Sequence, residues 1–274
     1  VEDGATVVVD AGFVPAQAWL EAARDDASFR DAPKGRWART AEERRTLEND
    51  LIRGLVKDTE GFMSRHVERP ISLSISRRLM GTSITPNQMT WISLLIGVLG
   101  GACFALPGRG WALTGALLFL THSILDGCDG ELARLKLQES RWGGVLDFWG
   151  DNVVHAAVFL GIGVGWARDG GGALPLVLAA LAVLGTFVSA GLVYGYTMRE
   201  RSGTGPMYES VAREAEKSRL AKIADALSRR DFIYLVVILA ALGKIHVFLV
   251  LSALGAPAYA LTLLAIRRAE SPDS

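Results

Sequence analysis

Beyond position 85 the sequence becomes a series of apolar runs, at about 87–106, 111–134, 144–167, 173–198, 231–243 and 246–266. Most of these reach the roughly 20 residues that a helix needs to span a hydrocarbon core, the fifth only with its flanks. A chain with such runs satisfies its backbone inside the bilayer by folding them as helices. The expected fold is therefore an all-α integral membrane protein with six transmembrane helices. Short connections at Pro107-Gly108-Arg109-Gly110, Arg168 to Gly172 and Gly243-Lys244 alternate with a long polar one, Arg199 to Arg230. That long connection carries Arg199, Arg201, Arg213, Lys217, Arg219, Lys222, Arg229 and Arg230, whereas the opposite side offers Arg109, Arg168 and Lys244. The positive-inside rule then places both termini, and the mouth beside them, at the cytoplasmic face of the cytoplasmic membrane.

What precedes the runs is different in kind. Ala5 to Asp10 reads as a buried strand, Pro15 to Ala23 as a helix, Asp25 to Arg39 as a charged loop, and a polar helix follows Thr40. Residues 1–50 are thus expected to form a small N-terminal α/β cytoplasmic fragment. Residues 51–83 form a juxtamembrane segment: Leu51, Ile52, Leu55, Val56, Ile71, Leu73, Ile75 and Leu79 alternate with Arg65, Arg69, Arg77 and Arg78. This pattern suits an interfacial amphipathic helix with its arginines at headgroup level. Residues 84–274 make up the membrane domain. The 29 basic and 29 acidic side chains cancel, so no global field argues for a nucleic-acid partner. Two cysteines, Cys103 and Cys128, both in apolar stretches, exclude a disulfide framework.

Charge inside a bilayer costs roughly 2.5–3.5 kcal/mol per residue on insertion scales and asks for a function. The second and third spans carry Asp126, Asp129, Asp147 and Asp151. Asp126 and Asp129 stand at i, i+3 and Asp147 and Asp151 at i, i+4, so each pair shares one helix face. Four like charges in one cavity call for cations, and oxygen-only ligands suit hard divalent ions such as Mg²⁺ or Mn²⁺. Four carboxylates suffice for two ions, the arrangement that clamps a phosphoryl group in transfer. Gly130, Ala133 and Gly143 continue the same faces with small side chains, and Arg134 supplies a cation for phosphate oxygens. A cation transporter or channel is the alternative reading of intramembrane carboxylates. Transport paths spread ionisable groups through the membrane depth, whereas these cluster toward one face.

The run Asp126-Gly127-Cys128-Asp129-Gly130-Glu131-Leu132-Ala133-Arg134, eight residues, Gly143, three residues, Asp147, three residues, Asp151 matches D-x2-D-G-x2-A-R-x8-G-x3-D-x3-D. A chance match at one position is on the order of one in a billion. The chain thereby resembles the CDP-alcohol phosphotransferase family. The resemblance implies six transmembrane helices, often a homodimer, a divalent-metal centre and transfer of a phospho-alcohol group from a CDP-linked donor to an alcohol, with release of CMP. It makes Asp151 the candidate base, and makes Asn87 and Thr90, which follow Thr85-Pro86, candidates for the nucleotide pocket. The donor is CDP-diacylglycerol or a CDP-polyol. An acceptor with its own phosphate, such as a polyol phosphate, is expected from Arg77, Arg141, Arg199 and Arg201 at the cytoplasmic mouth. The segment Leu51 to Ser72 also looks like the junction in fused enzymes that join a cytidylyltransferase to a di-myo-inositol-phosphate-phosphate synthase domain. Residues 1–50 would then be the end of a nucleotidyltransferase-like domain. His155, one turn beyond Asp151, is either a supporting hydrogen-bond partner or a packed ring. Trp111, Trp142 and Trp149 read as interfacial anchors.

Overall fold

The computed structural model describes residues 13–15, 35–37, 63–136, 138–200 and 232–270. The chain divides into two compact units, Val1–Asp58 with Gly203–Gly205, and Thr59–Ser202 with Pro206–Ser274. In the first unit β1 (Phe13–Pro15) and β2 (Gly35–Trp37) pair antiparallel, with Phe13 opposite Trp37. β2 lies within the stretch expected to be a loop, and Pro15 ends a strand rather than opening a helix. Three residues are too few to show a period of two, so only the cross-strand pairing reveals them. The strand at Ala5–Asp10, the rest of the Pro15–Ala23 helix, the helix after Thr40, the Leu51–Val56 part of the amphipathic segment and the charged tract Ala212–Leu227 lie outside the described residues.

The second unit is helical among the described residues. A π-helical turn, Ser64–Glu68, leads into α1 (Arg69–Leu79), followed by α2 (Pro86–Phe104), α3 (Arg109–Leu135) and α4 (Arg141–Trp166). Then come a second π-helical turn, Ala167–Gly171, and α5 (Leu174–Glu200), α6 (Phe232–Ala241) and α7 (Ile245–Glu270). Local chemistry sets these ends. Thr85 and Gln88 form a reciprocal capping box with Pro86 in the first turn of α2, and Ser140 Oγ accepts from Gly143 N–H at the start of α4. Gly243 adopts φ 69° where α6 turns into α7, a conformation that favours glycine.

Among the described residues five helices, α2 to α5 and α7, are long and apolar enough to cross a membrane. Six such helices were expected. The remaining one, the fifth expected run, is α6, and its 10 described residues rise about 15 Å, half the hydrocarbon thickness. Large apolar side chains face outward along the spans, including Trp91, Leu95, Leu184, Leu254 and Leu261. Such a belt suits lipid rather than water, as in an integral membrane protein.

α2 is the hub, packing on both α3 and α4. Small residues allow the close approach: Gly97 lies under Val154, Gly101 against Ala157, and Gly161 against the carbonyl of Gly101. A Cβ on Gly161 would stand 1.9 Å from that carbonyl oxygen. Phe119, Val154, Val158, Ile162, Val236 and Leu249 fill the core behind these crossings.

α1 departs from its expected orientation. Its buried stripe is polar, Glu68, Ser72 and Ser76, and turns toward α3, while Ile71 stays exposed. Arg69 does not reach outward to headgroups. Its Nη1 donates to Glu131 Oε1 at 2.7 Å, because an unpaired glutamate inside α3 costs more than drawing one arginine inward. Trp111 and Trp142 are exposed in the first turns of their helices, as anchors should be. Trp149 is not an anchor. It packs among Phe148, Phe187 and Tyr194, with ring centroids 5.5–6.4 Å apart.

Candidate active site

α3 and α4 each bring a carboxylate pair to one place. Asp126 and Asp129 are buried, and Asp147 and Asp151 are half-buried. Carboxylate oxygens of Asp126, Asp129 and Asp147 all lie within 4.8 Å of one another. A second trio, also within 4.8 Å, joins a ring nitrogen of His122 to Asp126 and Asp151. Asp126 is common to both. Helical spacing puts each pair on one face, and the α2 hub fixes the register in which the faces meet.

The walls of the pocket hold these groups in place. Thr90 Oγ1 donates to Asp129 Oδ2 at 2.5 Å, and Gly130 N–H approaches Asp129 Oδ1 at 2.5 Å. Thr90 itself is buried on α2, one turn after Pro86. Asn87, in the first turn of α2, brings its Oδ1 to 3.0 Å from where a Cβ on Gly143 would sit. A Cβ on Gly130 would meet Arg134 Nη1 at 3.6 Å, so the guanidinium lies over the glycine. Ala133 sits half-buried between them in sequence. Asp147 Oδ1 is buried with no hydrogen-bond partner among the described residues. An acceptor oxygen left so, beside two more carboxylates, fits a divalent cation with oxygen ligands.

Three acidic or basic residues escaped the reading of the sequence. Glu131 is fully buried and accepts from Arg69 Nη1, Ser72 Oγ and Ser76 Oγ, each at 2.7 Å. Glu68 is buried on the same side, where Ser123 Oγ donates to its Oε2 at 3.3 Å. His122 is buried one turn before Asp126. For His122 and Glu131 the available signal was polarity inside an apolar run, the criterion that singled out the aspartates, whereas Glu68 lies in the charged juxtamembrane segment and gave no such signal. Of the phosphate candidates, Arg77 and Arg141 are exposed, at the last turn of α1 and the first residue of α4. Arg199 lies in the last turn of α5 with its side chain outside the description, and Arg201 lies outside the described residues. His155 is packed between rings, 5.7 Å from Phe119 and 5.9 Å from Phe232.

The chain is similar to several known proteins. The chain is 38% identical over 131 residues to a bifunctional IPC transferase and DIPP synthase of Thermococcus kodakarensis, covering 47% of this chain and 29% of that one. It is 28% identical over 174 residues to an archaetidylinositol phosphate synthase of Pyrococcus horikoshii, covering 63% and 86%. The chain thus spans less than a third of the first of these relatives and most of the second. Its fold resembles the crystal structure of Mycobacterium tuberculosis phosphatidylinositol phosphate synthase, with a TM-score of 0.50 and 21% identity over 70% of this chain and 93% of that one. The match to a family, described as CDP-alcohol phosphatidyltransferase, runs over residues 83–208 and takes in the capped start of α2 and all four aspartates. Residues 83–208 are thus similar to CDP-alcohol phosphatidyltransferase domains.

Proposed function

We propose that this domain transfers a phospho-alcohol group from a CDP-linked donor to the hydroxyl of an acceptor alcohol or polyol phosphate, releasing CMP. The observation that carries the reading is the meeting of Asp126, Asp129 and Asp147 within 4.8 Å, with Asp151 one turn beyond Asp147. These four would hold Mg²⁺ or Mn²⁺, as two ions. Bound there, the ions would neutralise charge on the donor diphosphate and on departing CMP.

The chain's own groups divide the remaining work. Thr90 and the Gly130 amide hold the Asp129 carboxylate in one orientation. Asn87, Thr90, Gly130, Ala133, Arg134 and Gly143 form the donor side, with the Arg134 guanidinium set for phosphate oxygens and the two glycines leaving room for them. Asp151 takes the proton of the acceptor hydroxyl. The oxygen attacks the β-phosphorus in line as the bond to CMP breaks, so no covalent enzyme intermediate is needed. Arg77, Arg141, Arg199 and Arg201 would receive an acceptor phosphate.

Two donor classes fit. A relative's crystal structure is described with CDP-DAG bound, which supports a lipid donor. Relatives named for IPC transfer and DIPP synthesis support a soluble CDP-polyol. The names of other relatives share a phosphorylated inositol, which supports a polyol-phosphate acceptor. We also take residues 1–50 as the end of a nucleotidyltransferase-like domain and 51–83 as the juxtamembrane segment before the membrane domain. The active site and both termini would face the cytoplasm, in a homodimer among membrane lipids. The test is incubation of the purified chain and Mg²⁺ with each donor class and with free or phosphorylated polyols, scoring CMP and product mass. CMP release that depends on both partners is the expected result. Ion flux in liposomes without CMP release from any donor would replace this reading with transport.

A further inference from the structure

We propose that His122 is a nitrogen ligand to a cation that shares Asp126 with the oxygen-only trio, and that this nitrogen tilts the centre toward Mn²⁺ over Mg²⁺. The inference rests on the metal-dependent reading above. Nδ1 of His122 lies 3.0 Å from the carbonyl oxygen of Ser93. A carbonyl only accepts, so the hydrogen is assigned to Nδ1, which donates. Nε2, on the opposite edge, faces Asp151 Oδ1 at 3.5 Å. In the neutral ring this tautomer directs the Nε2 lone pair at a carboxylate, and a cation between the two atoms satisfies both. A histidine whose other nitrogen donates to a backbone carbonyl is the usual setting of a metal-bound imidazole, because that bond fixes both tautomer and ring orientation.

The ring is also held by packing. Phe119 stacks on it with centroids 6.2 Å apart and planes 13° from parallel. On another side Gly97 makes room, since a Cβ there would stand 2.9 Å from His122 Cγ. His122, only 4% exposed, is therefore seated with its Nε2 edge toward Asp151, and a ring nitrogen lies within 4.8 Å of carboxylate oxygens of Asp126 and Asp151. An imidazole nitrogen is a softer ligand than a carboxylate, and Mn²⁺, as a transition ion, accepts it more readily than the harder Mg²⁺ or Ca²⁺, though less than later transition ions do.

The experiment uses the full chain without a histidine tag, in detergent, loaded with Mn²⁺ and examined by pulsed EPR. The expected result is a directly coordinated nitrogen whose coupling changes from ¹⁴N to ¹⁵N on labelling of histidine. His122→Gln should abolish that coupling while Mn²⁺ stays bound through Asp126, Asp129 and Asp147, and His155→Gln should leave it intact. The ratio of Mn²⁺ to Mg²⁺ affinity should fall about tenfold or more in His122→Gln. The labelled wild-type spectrum stands as a test even if His122→Gln does not fold. Bound Mn²⁺ with oxygen ligands only would overturn the inference, with His122 then an ion-pair partner of Asp151, and would leave the transferase reading in place. Failure to bind Mn²⁺ together with failure to release CMP would overturn both.

Discussion

Asp126 and Asp151 occupy similar positions yet should fail in different ways when altered. Asp126 belongs to both ligand trios, so Asp126→Asn removes charge from each and should weaken metal and donor binding together. Asp151→Asn keeps an oxygen that can coordinate but cannot take a proton. It should retain much of the donor affinity and lose about 10²–10⁴-fold in rate. Donor affinity and transfer rate measured on both variants in one detergent separate the two roles. A near-native rate for Asp151→Asn would make Asp151 a ligand alone and move the base elsewhere. Glu131 tests structure rather than chemistry. Its three 2.7 Å hydrogen bonds tie α1 to α3, and Glu131→Ala leaves Arg69 without its buried partner. A loss of about 3–5 kcal/mol is expected, less for Glu131→Gln, which keeps an acceptor. Thermal unfolding in detergent reads this directly. An unchanged midpoint for Glu131→Ala would mean that the α1 contact adds nothing.

At the level of helices, the site depends on how closely α2 and α4 approach. Gly161 and Gly101 meet backbone to backbone, and no rotamer relieves a clash with a carbonyl. Gly161→Leu should therefore push α4 off α2, displacing Asp147 and Asp151 from Asp126 and Asp129. Expression as aggregate, or a folded protein that neither binds metal nor turns over, is the expected outcome. Normal turnover in Gly161→Leu would show that the crossing is not what sets the register. α1 was readable as a helix from its periodicity, but not its orientation. Its serines and Glu68 make a polar face toward α3, and a hydropathy pattern assigns that face to water. Only the buried Glu131 opposite explains why it turns inward.

For the molecule as a whole, the carboxylate cluster sits among apolar spans, where water cannot disperse its charge. Rigorous chelation should abolish CMP release, and Mg²⁺ or Mn²⁺ should restore it. The fold should survive, because the core of Phe119, Val154, Val158 and Ile162 is apolar and contains none of the carboxylates. CMP assays and circular dichroism on the same EDTA-treated sample give the comparison. Full turnover after chelation would end the metal-centre reading. Five spans were legible because a bilayer demands a minimum apolar length, a property of consecutive residues. The fifth expected run was less so, since α6 carries only a short described helix.

Taken alone, the sequence determined five of the six expected spans, the capped start of α2 and the two carboxylate pairs. Each follows from residues a few positions apart, through helical period, hydropathy or capping geometry. It also put Asp126 with Asp129, and Asp147 with Asp151, on shared faces through helical spacing. Tertiary structure decided what those faces meet. Arg69 finds Glu131 across 62 positions and Thr90 finds Asp129 across 39. His122 joins Ser93 to Asp151, while His155 and Trp149 turn into aromatic clusters. The physical reason is that a contact between helices depends on their crossing and axial register. Those are set by the summed fit of small residues such as Gly97, Gly101 and Gly161, which no local pattern of hydrophobicity or charge encodes.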